Sequence, residues 1–246
     1  MTDYSWVFCG VDLTALPQGA LYAPRERLLC VSDLHLGKAE RIARREGRLT
    51  PPYEARETLA RLDALVAGLK PATVVCLGDS FDDDFAAMTL GEEERGALAV
   101  MMAGRRWIWI AGNHDPAPVG LGGECLSSLA LCGLTFRHEA AAGAVGEVSG
   151  HYHPKARLRG RGRPSFLVDE ARIVMPAFGA YTGGLDVADE AFDRLMGDDA
   201  LVLMTGRKII PAPRSGLLSP PRPGRGAGLR IQAKRFSTPA SRSAGR

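Results

Sequence analysis

The chain of 246 residues is long enough for one large domain or two small ones, and its hydrophobic share of 46% allows a substantial core. It holds no apolar run of about 18 residues, and the opening MTDYSWVFCG lacks a basic segment followed by an apolar one, so we expect neither a membrane span nor a signal peptide. The net charge of +3 hides an asymmetry, because eight Lys or Arg and no acid follow Pro211, which leaves 23 basic and 28 acidic residues, a net −5, before that point.

Three short apolar runs in the first half predict strands that are buried on both faces. Each run ends on Asp or Asn: RLLCVSD (27–33), TVVCLGD (73–79) and RWIWIAGN (106–113). Residues 51–70 carry leucines at helical spacing, begin with two prolines and stop before Pro71, which predicts a helix. A second helix is predicted over residues 92–103.

From Gly133 onward the pattern changes to short strands separated by turns. The predicted strands are LTFRHE, AVGEVSGH, PSFLVD, RIVMPAF, ALVLMT and RKII. A β-α-β-α-β half followed by a mostly antiparallel half predicts an α/β (α+β) fold, with two packed mixed β-sheets flanked by helices.

The end of the chain differs from the rest in composition. Residues 212–246 are rich in Pro, Gly, Ser and Arg and have no periodic apolar positions, so we predict a domain over 1–211 followed by a disordered basic tail. The tail could bind nucleic acid, but a dispensable extension is the interpretation we favour. No Cys-x-x-Cys pair occurs, and Cys30 and Cys76 lie inside apolar runs, so we expect a cytoplasmic protein.

Metal-binding and acid–base residue types stand where the predicted strands end. Asp33 and His35 follow the first strand two residues apart, and side chains at i and i+2 of an extended segment point the same way, so both could reach one metal ion. Asp79 ends the second strand, and Asp82 and Asp83 lie just beyond it.

The third predicted strand stops on Asn-His-Asp at residues 113–115, where a capped turn is the alternative interpretation. His138 and the pair His151 and His153 follow, so all five histidines stand near strand ends. Carboxylate, amide and imidazole ligands without Cys suit Mn²⁺, Fe or Zn. Seven or eight such ligands are enough for two ions, and a dinuclear centre with ions roughly 3.5–4 Å apart is typical of attack on phosphate esters.

The motifs Asp-x-His, Gly-Asp-x-x-Asp, Gly-Asn-His-Asp, a later His and Gly-His-x-His, in that order, resemble the calcineurin-like metallophosphoesterases. Longer stretches, among them VSDLHLGKAE, GHYHPKARLRGRGR and MPAFGAYTGGLDV, are similar to its branch known as the ligase-associated DNA damage response endonuclease family (PdeM). The resemblance covers residues 25–210. It implies the calcineurin-like metallophosphoesterase fold, hydrolysis of phosphoric diesters in DNA repair or nucleic-acid processing, and functional association with a DNA ligase and other repair enzymes.

The resemblance also implies a role for each motif residue. The ligands of one divalent ion would be Asp33, His35 and His153, those of the other Asn113, His138 and His151, and Asp79 would bridge the two. Mn²⁺ is the metal we expect, with Fe or Zn as alternatives. A water activated by the ions would attack phosphorus, His114 would protonate the leaving oxygen, and Asp82 would orient the His114 ring.

Asp83 departs from the pattern of many phosphatases of this superfamily, in which an Arg that holds a phosphate oxygen follows Gly-Asp-x-x-Asp. A doubly charged monoester would meet an acidic neighbour there, so we predict a preference for singly charged diesters.

Basic residues alternate after the last histidine pair. They are Lys155, Arg157, Arg159, Arg161 and Arg163. On one extended strand they would line a single face near the metals, and the first three are our candidates for binding a DNA or RNA backbone. A solvated edge strand is the alternative. Two other functions stay open: the same chemistry on a small cyclic or dinucleotide substrate, and a non-enzymatic scaffold, which the intact ligand set and His114 disfavour.

Overall fold

The computed structural model describes residues 2–38, 41–42, 53–114, 120–158, 160–197 and 199–218, with the backbone alone at positions 84, 85, 89 and 158. Three features of the sequence interpretation fall outside these ranges. They are Asp115, Arg159 and the tail from residue 219 onward.

The first sheet has seven strands, which lie in chain order from one edge to the other. They are β1 (Tyr4–Phe8), β2 (Val11–Ala15), β3 (Leu21–Ala23), β4 (Leu28–Val31), β5 (Thr73–Leu77), β6 (Arg106–Ile110) and β7 (Glu124–Leu126). β1 to β4 pair antiparallel, and β4 to β7 pair parallel. β4 is buried at every residue, and so are four of the five residues in each of β5 and β6, as their continuous apolar runs predict.

The second sheet is mixed and has the order β15-β14-β12-β13-β10-β9-β8, with β11 paired to β12. Its strands are β8 (Ser128–Leu131), β9 (Leu134–Arg137), β10 (Glu147–Ser149), β11 (Lys155–Leu158), β12 (Arg161–Val168), β13 (Arg172–Val174), β14 (Leu201–Met204) and β15 (Ile210–Pro213). β9, β10 and β13 pair in parallel, and the other pairings are antiparallel. β15 runs across residue 211, so the first residues assigned to the tail pair with β14.

Four helices and one 3-10 turn are described. They are α1 (Glu54–Leu69), α2 (Asp84–Thr89), α3 (Glu92–Met102), the 3-10 turn Glu190–Phe192 and α4 (Ser215–Leu218). α1 buries Leu59, Leu62 and Val66 at helical spacing, in agreement with the predicted helix. Within the described ranges, no helix is long and apolar enough to cross a membrane.

Three apolar layers hold the sheets and helices together. The first lies between the two sheets and joins Trp6, Phe8 and Leu13 to Phe166 and other side chains of the second sheet. The second packs the outer face of the first sheet against the helices, and the third covers the outer face of the second sheet. Burial of each large side chain stabilises the fold by roughly 1.5–3 kcal/mol. The predicted architecture of two packed mixed sheets flanked by helices is confirmed.

Candidate metal centre

Loops at one edge of both sheets carry the candidate ligands. Because β4, β5 and β6 are parallel, their carboxyl ends meet at the same edge, where sites of α/β sheets tend to lie. The loops after β4 and β5 are joined by backbone hydrogen bonds, from the Asp33 N–H to the Gly78 carbonyl (3.3 Å) and from the His35 N–H to the Asp79 carbonyl (2.9 Å). β9 and β10 end close by and lead to the other histidines.

Five of the seven predicted ligands have left-handed backbone conformations. Their φ angles are 52° at Asp33, 46° at His35, 43° at Asp79, 69° at His151 and 46° at His153. For non-glycine residues such angles cost on the order of 1 kcal/mol each. The expectation that these pairs project from extended segments is therefore wrong, and the side chains converge because the loops turn tightly at each ligand.

The first cluster consists of Asp33, His35 and His153, as the ligand set for one ion predicts. Their ligand atoms all lie within 4.8 Å of one another. The Nε2 atom of His153 is 3.1 Å from Asp33 Oδ1 and 3.4 Å from His35 Nε2. Asp33 is completely buried and His35 nearly so, whereas His153 lies at the edge of the cavity.

The second cluster consists of Asp79, His138 and His151, whose ligand atoms again lie within 4.8 Å of one another. The Asn113 side chain joins them, because its Oδ1 atom is 2.9 Å from His138 Nε2 and 3.0 Å from His151 Nδ1. The two clusters are in contact, since the His151 N–H donates to the Asp33 carboxylate. The bridging position of Asp79 stays a prediction.

The hydrogen bonds on the far side of two imidazoles fix which ring nitrogens face the clusters. His35 Nδ1 is 2.9 Å from the Asp82 carboxylate, and His138 Nδ1 is 2.9 Å from the Leu77 carbonyl. Both partners accept, so each Nδ1 donates and each Nε2 is free to act as a metal ligand. The remaining atoms that face these nitrogens are carboxylate and amide oxygens and other imidazoles. Two divalent cations fit this concentration of electron-pair donors.

The charges of the second cluster shift the pKa values of its members. Burial lowers the pKa of His138, but the hydrogen bond to Asp79 and the charges of Asp33 and Asp79 raise it to about 9. Burial raises the pKa of Asp79, yet the bonds from His138 and the His114 backbone N–H lower it to about 2. Burial and then the positive charge of His138 lower the pKa of His151. The second cluster thus attracts positive charge.

Asp82 bonds to His35, and not to the histidine that the sequence interpretation gave it as a partner. Its Oδ1 atom accepts from His35 Nδ1 and its Oδ2 atom accepts from Arg41 Nε. Asp82 is 2% exposed. Burial raises its pKa, but the bonds from His35 and Arg41 lower it to about 2. The hydrogen bond that the structure gives Asp82 orients His35, because the loop after β5 runs alongside the loop after β4. The role of Asp82 toward His114 stays a prediction.

His114 lies at the open side of the centre. Its backbone N–H donates to Asp79 Oδ1 (2.9 Å), and its exposed ring stands edge-on to the His35 ring with centroids 5.6 Å apart. A solvent-facing imidazole beside the clusters, bonded to them only through its backbone, is placed to meet a substrate. Its role as the acid stays a prediction.

The alternating basic residues do not form one strand, so the prediction of a single cationic face is wrong. β11 ends at Leu158 and the chain reverses into β12, with Ala156 opposite Arg163 and Arg157 opposite Gly162. Opposite residues of an antiparallel pair project to the same face. Lys155 and Arg157 therefore lie on one face of this hairpin, and Arg161 and Arg163 on the other.

Two residues of the site were missed in the sequence. Arg41 was not singled out within the basic run KAERIARREGR, yet it bonds to the buried Asp82. Ser32 donates to Asp33 Oδ2 and is itself completely buried. A basic residue a few positions after a ligand motif is a signal that could have indicated Arg41.

Comparison with known proteins agrees with this geometry. No curated protein matches the chain. Among solved structures, the crystal structure of Pseudomonas putida nuclease MPE is similar, with a TM-score of 0.68 and 26% sequence identity over 86% of this chain and 100% of that chain. The model of the calcineurin-like phosphoesterase family matches residues 26–201, which is more than half of the chain. The chain therefore belongs to the calcineurin-like phosphoesterase family.

Proposed function

We propose that the protein is a dinuclear, Mn²⁺-dependent phosphodiesterase that cleaves DNA or RNA strands. The observation that carries the proposal is the pair of adjacent ligand clusters with His114 open to solvent beside them. The similarity to a nuclease, MPE, supports a nucleic-acid substrate.

Two bound divalent ions would supply Lewis-acid activation of water and neutralise charge on the phosphoryl group. Side chains of this protein would hold the two ions and supply the acid. Asp82 and the Leu77 carbonyl hold the rings of His35 and His138, respectively, in the tautomer that offers Nε2. The His114 imidazole donates a proton to the departing oxygen, a type of step that contributes about 10²–10⁴-fold to rate.

Asp83, the residue after Gly-Asp-x-x-Asp, favours diesters over monoesters as substrates. Asp83 is the N-cap of α2, where its carboxylate accepts a hydrogen bond from the Ala86 N–H (2.9 Å). The side chain has a structural role at the helix start and brings no positive charge to the site. A singly charged diester needs less cationic compensation than a doubly charged monoester.

The side chains that would contact a polyanion lie on one face of the basic hairpin. Arg157 is exposed and its Nε donates to the exposed Asp186 carboxylate (3.1 Å), and Lys155 Nζ donates to the Thr182 carbonyl (2.7 Å). Burial and then the charge of Lys38 lower the pKa of Lys155, so a second ammonium group acts on this one. Such an arrangement favours a phosphate between or beside them. Arg159 lies outside the described residues, and its contact with the substrate stays a prediction.

The cellular role follows from the resemblance in sequence. Similarity to the ligase-associated family supports a cytoplasmic protein that acts in DNA repair, in functional association with a DNA ligase and other repair enzymes. Co-purification with a ligase from damaged cells would test this association. Its absence would limit the proposal to the hydrolytic activity.

The activity is tested by hydrolysis of bis-p-nitrophenyl phosphate and p-nitrophenyl phosphate with Mn²⁺, with and without chelator. We expect the diester to be cleaved faster and the chelator to abolish turnover. A clear preference for the monoester would overturn the assignment as a diesterase. Turnover of the diester without cleavage of DNA or RNA would favour a small cyclic or dinucleotide substrate.

Two histidine variants separate the acid from the ligands. His114→Ala should lower turnover by 10²-fold or more with two Mn²⁺ still bound per chain. His151→Ala should reduce the metal content itself. Equal metal loss in both variants would show that His114 is a ligand and would contradict its role as the acid.

A further inference from the structure

An exposed tyrosine lies on a loop that contacts two of the candidate metal ligands and that the proposed chemistry does not use. The rim loop, residues 178–184 with the sequence FGAYTGG, follows β13. Its first residues are bonded to the loop after β4, from the Phe178 N–H to the Ser32 carbonyl (2.7 Å) and from the Gly179 N–H to the Asp33 carbonyl (3.0 Å). The loop thus begins against a metal ligand.

The other end of the rim loop packs against another ligand. A β-carbon at Gly184 would overlap the His153 carbonyl, and the Thr182 carbonyl accepts the bond from Lys155. In the middle, the Ala180 N–H donates to Thr58 Oγ1 (3.0 Å), which ties the loop to α1. The rim loop is therefore held at both ends and at its centre, so its side chains keep fixed positions around the site.

Tyr181 is the one large side chain of this fully described loop that is not buried. It is 72% exposed, whereas Phe178 is 1% exposed. Its φ of 57° is left-handed, which costs on the order of 1 kcal/mol for a residue with a β-carbon and nothing for glycine. Three of the seven loop residues are glycine, yet the left-handed position holds an aromatic. Neither burial nor backbone preference explains a tyrosine there.

We propose that Tyr181 is a stacking platform for an unpaired nucleobase next to the scissile phosphate. The inference deepens the proposed function, on which it rests, by naming single-stranded or unpaired nucleic acid as the substrate class. Proteins that bind single strands combine aromatic platforms with cations that follow the backbone, and Lys155 and Arg157 supply cations next to this loop. A base inside a duplex offers no free face to the ring.

The test compares a base-bearing single strand with an abasic strand of equal length and charge. Binding is measured by fluorescence anisotropy with Mn²⁺ in a His114→Ala background, and cleavage is measured with His114 intact. We expect the normal Tyr181 protein to bind the base-bearing strand roughly tenfold more tightly. Tyr181→Ala should lose this preference and Tyr181→Phe should keep it. Both variants keep a β-carbon, so their thermal midpoints should match, which checks folding.

The outcomes separate the two proposals. An unchanged preference in Tyr181→Ala, or no preference with Tyr181 present, would overturn the stacking role even if the strand is cleaved. A Tyr181-dependent preference in binding without any cleavage would support stacking and overturn the nuclease activity. Failure to bind or cleave either strand would overturn both.

Discussion

Replacement of Asp82 by Asn should weaken the binding of one metal ion and leave the binding of the other unchanged. Asp82 is buried and its carboxylate accepts from His35 Nδ1 at 2.9 Å and from Arg41 Nε. Asn keeps the shape but loses the charge, and its amide group would face a donor. A hydrogen bond to a charged group contributes about 1.5–3 kcal/mol, which corresponds to about 10- to 100-fold in affinity, the range found when partners of metal ligands are removed.

The assay is titration with Mn²⁺, followed by electron paramagnetic resonance, which resolves two binding steps. We expect the step assigned to the Asp33 cluster to weaken in Asp82→Asn and the other to stay within about twofold. Asp83→Asn is the matched control, because the neighbouring residue caps α2 and Asn caps a helix equally well. Excess Mn²⁺ should restore most of the turnover of Asp82→Asn. Unchanged affinity for both ions, with turnover lost even at saturating Mn²⁺, would refute the reasoning. It would indicate that Asp82 acts on the acid His114 and not on the metal ligand His35.

Three further predictions use matched variants or metal alone. Gly78→Ala should lower the free energy of unfolding by about 3 kcal/mol in urea denaturation, because φ is +71° there and the new β-carbon would overlap the His138 imidazole. Gly10→Ala is the control, since its φ is +82° but its β-carbon would meet open space, and it should cost about 1 kcal/mol. Equal losses in the two variants would contradict the overlap. Mn²⁺ at a hundredfold its Kd should stabilise the fold by about 2.7 kcal/mol per site and raise the thermal midpoint, and a midpoint that does not move would argue against specific binding. Arg157→Ala should reduce the slope of log affinity for DNA against log salt by about 0.9, and Arg161→Ala, on the opposite face, should leave it unchanged.

The fold follows from local patterns in the sequence to a large extent. Continuous apolar runs predict β4, β5 and β6 because strands buried on both faces need apolar residues at successive positions. Helical spacing likewise predicts α1, and the helix predicted over residues 92–103 matches α3. The antiparallel strands β1 to β3 were not predicted, since residues 1–26 contain no long apolar run and their pairing depends on the sheet beside them.

The ligand residues could be predicted and their contacts could not. Residue type and order predict seven candidate ligands, which the structure places together. The partner of Asp82 depends on how two loops lie side by side, which no spacing encodes. The prediction of a single basic strand failed for another reason. A turn at Gly160, with φ of +80°, reverses the chain in the middle of an alternating pattern, and alternation alone does not distinguish one long strand from two short ones.

Each ligand cluster draws on both sheets. In the first cluster, Asp33 and His35 follow a strand of the first sheet and His153 follows a strand of the second sheet. In the second cluster, Asp79 follows a strand of the first sheet, and His138 and His151 follow strands of the second sheet. An ion in either cluster would therefore act as a non-covalent cross-link between the sheets, on top of the apolar layer that they share. In the first cluster, residues more than a hundred positions apart, such as His35 and His153, must dock before the cross-link can form. Metal should consequently slow unfolding while leaving the folding rate nearly unchanged, since the ligands come together only when the sheets have assembled.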